Sequence, residues 1–222
     1  MNVPKTRKVL LYTSIFGAYD ELCEVPAQTI AHDAKCHSDQ DFNPRTWQIE
    51  KRPLKFNDDP ILTARYFKIA QSIPDYEFCV YLDGAFEITR PDFLEFILAG
   101  LSHHQIAFLT HPHRSCVYDE AAVCQTIDKC DPNVVSKQIV RYANAGMPRQ
   151  YGLWAAGVFA FRNSPAVFEL RQAWWQELLK GSNRDQISLP YVIWRKNLAG
   201  HIDSINQDVF DSPYVRWRPH KI

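Results

Sequence analysis

LTARYFKIAQSIPDYEFCVYLDGAFEI, residues 62–88, holds a helical repeat, a proline break and then the most apolar run in the chain. Leu62, Tyr66, Ile69 and Ile73 recur at spacings of three and four, which is the period of a helix with one buried stripe. Asp59 and Pro60 stand just upstream, a cap residue and a proline suited to the first turn. The following run, residues 77–88, predicts a buried strand with Asp83 near its carboxyl end.

The same alternation extends outward in both directions. Residues 8–17, KVLLYTSIFG, form a β-branched apolar run closed by glycine and predict a first core strand. Residues 47–52 predict a short second strand, while residues 33–43 carry no readable pattern. Downstream, helical segments at residues 91–101, 119–129 and 132–146 flank a buried strand at Ile106–Thr110. Residues 153–161 predict another strand. Ser164 and Pro165 then open a helix through Trp174, Trp175 and Leu178, and a last helix begins at Asp185, bent at Pro190. Strands alternating with helices imply an α/β fold, Rossmann-like, with a mostly parallel central sheet covered on both faces. Residues 1–222 are expected to make one domain. Ligands in such sheets bind at the carboxyl ends of the strands. That rule selects residues 14–20, Asp83, residues 111–114 and the turn after Trp154.

Composition removes several function classes. Lys plus Arg and Asp plus Glu number 25 each among the 222 residues, so no basic excess signals nucleic acid. The six cysteines form no CxxC pair, which argues against a zinc ribbon or thioredoxin motif and favours reduced thiols in the cytoplasm. The amino-terminal stretch, MNVPKTRKVLLYTSIFGAYD, superficially resembles a signal peptide. Its apolar run is broken at Tyr12, Thr13 and Ser14, and no small-x-small site follows, so a core strand is the better reading. No run reaches the ~18 apolar residues of a transmembrane helix.

Several residues carry chemistry. A carboxylate at the end of an apolar strand is costly unless something binds it, so Asp83 is a candidate ligand for Mn²⁺ or Mg²⁺, or a simple cap of the turn at Gly84. Arg65 and Lys68, three apart on one helical face, suit a diphosphate, or else form a solvated basic edge. His111 and His113 are candidate extra metal ligands or ordinary loop histidines, and Arg114 is a further anion-binding candidate. Glu120 favours the start of its helix. Asp185 falls where a helix cap would. Trp174 and Trp175 sit at core spacing.

The opening stretch resembles the donor segment of GT-A glycosyltransferases, notably the glycogenin-type enzymes, in which a helix bearing an Arg precedes a strand ending in Asp-x-Asp. LWAAGVFAFRN resembles their Gly-Val strand and NRDQISL their Asp-Gln segment. With YTSIFGAYD, HPHRSCVYDEA and AWWQEL added, the ordered motifs resemble the TOD/MUCI-like glycosyltransferase-like domain family, from about Val9 to Asn197. The resemblance implies a GT-A fold and transfer from a nucleotide-sugar, a UDP-sugar first, to a carbohydrate acceptor. It implies donor contacts at Thr13, Ile15, Arg65, Lys68, His111, Arg114 and Gly157, and metal at Asp83. Asp185 and Gln186 would be catalytic, facing the transferred sugar or acceptor. One departure stands out: Asp83-Gly84-Ala85 lacks the second carboxylate, and on a strand Glu87 would be about 13 Å from Asp83. Metal use is therefore open. A non-catalytic sugar-binding module is the alternative, and a nucleotidyltransferase would want more glycines than IFGAYD provides.

Overall fold

The computed structural model describes residues 8–127 and 130–221. The first seven residues of the stretch that resembles a signal peptide, and the end of the helix expected at residues 119–129, lie outside them. The apolar runs do become the sheet's centre. β1 (Val9–Ile15) is buried throughout, as is β4 (Phe78–Leu82), and the two pair in parallel. Seven strands form the main sheet in the order β3-β2-β1-β4-β7-β6-β8. Here β2 is Asp33–Ser38, β3 Gln48–Lys51, β6 Ile106–Thr110, β7 Trp154–Arg162 and β8 Ile202–Ile205. All neighbours are parallel except β7, which runs antiparallel to both β4 and β6. The sheet is therefore mostly parallel and the chain α/β, as its alternation of elements predicts.

Pleating sorts the apolar side chains between two layers. Val9, Leu11, Val80 and Leu82 face one side with Leu94 and Ile97 of α2 (Phe93–Ala99). Leu10, Tyr12, Cys79 and Tyr81 face the other, against Trp174 of α5 (Pro165–Leu178) and Ile193 of α6 (Asp185–Arg195). α3 (Val117–Thr126) and α4 (Pro132–Asn144) form a smaller cluster around Tyr142 and Ile187. The six cysteines are unbridged, and burial pushes the Cys79 thiol up to about 12, so it packs as a small hydrophobe. Among the described residues no helix is long and apolar enough to cross a membrane.

Three expectations change. The polar residues 33–43 contain β2, so the strand expected at residues 47–52 is third in sequence and lies at the sheet's edge. The run 77–88 is not one strand: it turns at Asp83, where the Phe86 N–H donates to the Asp83 carbonyl, and β5 (Phe86–Ile88) joins β9 (Val215–Trp217) in a separate two-stranded sheet. The helix beginning at Pro60 is α-helical only through Arg65 (α1), then widens into a π-turn at Tyr66–Ala70. Side chains from other elements hold that widened turn. Tyr12 Oη donates to the Lys68 carbonyl, Ser14 Oγ to that of Ala64, Gln172 Nε2 to that of Ala70 and Arg171 Nη2 to that of Gln71.

The strands run β1 to β2 and β3 on one side and then return to β4 on the other. That reversal leaves a crevice at the carboxyl ends of β1 and β4. Trp174, a core residue as its spacing predicts, also fixes one wall of it. Its Nε1 donates to the Asp185 carbonyl at 3.0 Å and lies 3.1 Å from Ser188 Oγ. Trp174→Phe removes that buried donor and is expected to destabilise the fold by about 1–3 kcal/mol, lowering the melting temperature by roughly 2–10 °C. A melting temperature equal to the parent's would contradict this.

Candidate functional site

Four charged side chains from three segments meet at the crevice. Lys68, on the π-turn, has a side chain 1% exposed. Its ammonium lies 2.6 Å from Asp185 Oδ2 and 3.3 Å from each Asp83 oxygen. Arg65 Nη1 lies 3.6 Å from Asp185 Oδ2 and 3.8 Å from Asp83 Oδ1. Two cations thus face two carboxylates, and the cluster is formally neutral. It is also layered: Lys68 and Asp185 are buried, while Arg65 and Asp83 keep 19% and 28% of their side-chain surface.

The protonation states follow from that packing. Burial works against the Asp185 carboxylate, but Arg65 and then Lys68 outweigh it and hold its carboxyl far below the usual range. Burial likewise opposes the Arg65 charge, and Asp185 and Asp83 more than restore it. Tyr81, pushed up by burial and by Asp83, keeps its proton and donates it to Asp83 Oδ1 at 2.8 Å. Asp185 is the first residue of α6 rather than its cap, and its Oδ1 accepts from the Gln186 N–H at 3.1 Å. Gln186 itself reaches the Trp154 carbonyl at 3.4 Å.

Gly157 explains how Asp83 fits. The β6–β7 register slips between Phe108 and Leu109, a bulge that falls beside Gly157. The Asp83 N–H donates to the Gly157 carbonyl at 2.8 Å. A Cβ at position 157 would sit 3.0 Å from Asp83 Oδ2 and 2.8 Å from the Phe86 ring. Gly84 is equally constrained, since a Cβ there would meet Ile15 and Asp20 at 2.8 and 2.9 Å. Glycine is thus needed on both sides of the carboxylate.

The remaining expected residues lie around this centre. Thr13 and Ile15 are buried in β1, and Thr13 Oγ1 has no hydrogen-bond partner among the described residues. His111 and Arg114 instead meet Glu120. Arg114 Nε donates to Glu120 Oε2 at 2.6 Å, and His111 Nε2 lies 3.5 Å from the same oxygen. His111 Nδ1 accepts the N–H groups of His113 and Arg114, so the imidazole organises its own loop. Burial would raise the Glu120 carboxyl, but the Arg114 bond and His111 hold it below its ordinary value. Glu120 is therefore more than the helix-start residue its position suggests.

Asp83 lies in a turn, so the strand spacing that would separate it from Glu87 does not apply. Among the described residues no three His, Cys, Asp or Glu side chains are grouped to hold a metal ion. Asp83 is already engaged by Lys68 and Tyr81, and Ala85 offers no second carboxylate. These residues do not form a protein-built Mn²⁺ or Mg²⁺ cage.

Sequence reasoning reached Asp20 only as the end of the stretch 14–20, and missed Tyr81, His220 and the chain that carries His220. Asp20 Oδ1 lies 2.6 Å from His220 Nδ1, and burial raises its carboxyl. Asp20, Gly84, Arg218 and His220 line a cavity of about 260 Å³ next to Asp83. A wider groove of about 440 Å³ on α4 includes Lys137 and Arg141, but Arg141 is paired with Glu177 and no carboxylate lines that groove. The Asp20–His220 pairing spans 200 positions, and no local pattern announces it.

The sequence profile of a family described as TOD1/MUCI70, glycosyltransferase-like domain, matches residues 61–212. That span contains all four charged residues of the cluster. No curated protein matches the chain.

One neighbour of the cluster makes a pH test possible. His37, at the end of β2, stacks on Phe67 of the π-turn at 4.9 Å, and its Nδ1 is buried without a hydrogen-bond partner among the described residues. Burial lowers its pKa to about 4. The unfolded chain takes that proton near pH 6.5, so stability is lost as the pH falls from there toward 4. Between pH 7 and 5 the parent should lose about 2 kcal/mol more than His37→Phe in urea unfolding. Asp185, with its depressed pKa, contributes loss only below about pH 4. Equal losses in the two proteins would show that His37 titrates normally.

Proposed function

The chain belongs to the TOD1/MUCI70 glycosyltransferase-like domain family, and from that premise and the site's geometry we propose that it transfers a sugar from a nucleoside-diphosphate sugar to a carbohydrate acceptor. The observation that carries the reading is the layered four-charge cluster at the crevice between β1 and β4. Apolar residues of the same volume would hold these segments at least as firmly as buried ion pairs. A charge cluster kept in a ligand crevice is better explained by ligand chemistry.

Each half of the cluster has a task in this reading. In the transfer, an acceptor hydroxyl oxygen bonds to the sugar's C1 while the bond from C1 to the diphosphate oxygen breaks. The electron pair leaves with the diphosphate, positive charge builds on the sugar ring, and the acceptor's proton is lost to the departing phosphate or to water. Arg65, the outward cation, faces the diphosphate and takes up its growing charge through paired N–H groups. Asp83, the outward acid, faces the sugar. Lys68 and Asp185 lie behind them as a buried ion pair that holds both in line, and the Asp185 charge keeps the cluster from turning positive beneath the ring. Asp185 is too weak a base to take the acceptor's proton, because its conjugate acid is so strong. Its part is electrostatic, and Gln186 supplies neutral hydrogen bonds beside it. UDP is the first nucleotide to try. An ion arriving on the diphosphate would find one carboxylate, Asp83, so no step is assigned to it.

Charge balance separates this reading from a helix-start role for Asp185. Asp185→Asn keeps the side chain's size and leaves two cations facing one acid. Affinity for UDP should hold or rise, while turnover falls by roughly 10²–10³. Arg65→Ala should instead weaken UDP binding by about 10- to 100-fold, the loss of a charge-assisted contact. Calorimetry with UDP and sugar release from UDP-sugars measure both effects. Parent-like turnover in a folded Asp185→Asn protein would reduce Asp185 to a structural residue. A parent that binds UDP-sugars without releasing sugar would favour the non-catalytic module.

A further inference from the structure

A row of exposed rings borders this site. Phe210 is 55% exposed, Trp217 44% and Tyr19 41%. The His113 ring lies parallel to Phe210, 6.3 Å away at 11°, and Phe210 meets Trp217 edge to face at 6.3 Å. Trp217 meets His220 at 6.5 Å, and His220 lies 4.4 Å from Tyr19. The row therefore runs from the loop after β6 to the loop after β1, along the carboxyl edge of the sheet.

The chain builds this exposure deliberately into an ordered loop. Val209 is 3% exposed and anchors the loop in the core, while its neighbour Phe210 points outward. The Asp208 carboxylate accepts the Phe210 N–H at 2.8 Å, and the Gln207 amide donates to the carbonyls of Asp208 and Asp211. Trp217 is fixed by pairing with Phe86 across the small sheet. At its inner end the row reaches the charge cluster: Phe86 lies 6.4 Å from Phe210, and the same point beside Gly157 is within 3.0 Å of both Phe86 and Asp83.

We propose that this row is an acceptor platform for a chain of pyranose sugars, laid across the rings with its reactive end at Asp83. A pyranose has an apolar C–H face and a rim of hydroxyls. The exposed ring faces match the apolar face, and the carboxylates of Asp208 and Asp211, which flank Phe210 in its loop, match the rim. The exposed aliphatic residues Ile127, Val134, Val140 and Leu179 lie elsewhere, on or beside α3, α4 and α5, so the row itself is built of rings bordered by polar side chains. Ring stacking tolerates many sugars, so the platform sets the class of acceptor and not its identity. The reaction at the inner end rests on the transferase reading above; binding along the row does not.

The test is titration of the full chain with cellopentaose, xylopentaose and pentagalacturonate, followed by calorimetry and tryptophan fluorescence. At least one should bind the parent. Phe210→Ala and Trp217→Ala should each weaken it roughly three- to tenfold, and Trp217→Tyr, which keeps a ring, should restore most of the loss. UDP affinity should be unchanged in Phe210→Ala. Binding of none of the three sugars, or binding indifferent to both alanine variants, would overturn the proposal. So would concentration-dependent self-association that Phe210→Ala abolishes in place of sugar binding. If a pentasaccharide binds while UDP-sugars neither bind nor hydrolyse, the platform stands and the transferase reading fails.

Discussion

The Lys68 ammonium is almost sealed from water, and the carboxylates of Asp185 at 2.6 Å and Asp83 at 3.3 Å are the counter-charges that face it. Much of the surrounding structure serves this contact. The π-turn points Lys68 inward from a segment whose first half presents Arg65. Wide turns of this kind need their loosened carbonyls satisfied. β1 and α5 satisfy them, through Tyr12, Ser14, Arg171 and Gln172. Arg171 is itself buried and rests its guanidinium over Phe161 at 4.5 Å, so the support is costly as well as specific. On the far side, Trp174 grips the Asp185 carbonyl. The sheet brings β1 and β4 together, and the cluster closes the gap where they diverge.

Neutrality of that cluster shapes what it can bind. Two bare cations would attract any anion, whereas here each is balanced and only the outer pair touches solvent. A ligand with a diphosphate at one end and a neutral, hydroxyl-rich ring at the other matches Arg65 and Asp83 together. The bulge in β7 and the two glycines at positions 84 and 157 let backbone approach Asp83 closely, which narrows the crevice around one carboxylate. At the departure from Asp-x-Asp, where Ala85 stands, Asp83 has the Lys68 ammonium 3.3 Å from each of its oxygens.

The sequence makes the centre legible and leaves the contacts hidden. β1, β4, β6 and β7 are continuous apolar runs, and burial on both sheet faces accounts for that pattern. β2 escapes because DAKCHS is polar although its second half is buried, and it becomes a strand through pairing with β1 and β3. β8 and β9 are too short to show a period. Arg65, Lys68, Asp83 and Asp185 each stand out by residue type and position. That Lys68 meets Asp185, more than a hundred residues away, depends on tertiary packing that no local spacing encodes. Nor does the helical repeat reveal the π-turn, because one inserted residue alters hydrogen bonding while leaving the apolar stripe intact. Phe210 and Trp217 read as ordinary aromatic residues until the fold shows that they face outward.

The most direct measurement is a crystal structure of the chain soaked with uridine diphosphate. The account predicts diphosphate oxygens within hydrogen-bond distance of the Arg65 guanidinium, at the carboxyl ends of β1 and β4, with Lys68 still paired to Asp185. Nucleotide bound at the α4 groove, or a diphosphate that leaves Arg65 untouched while occupying another part of the surface, would contradict it.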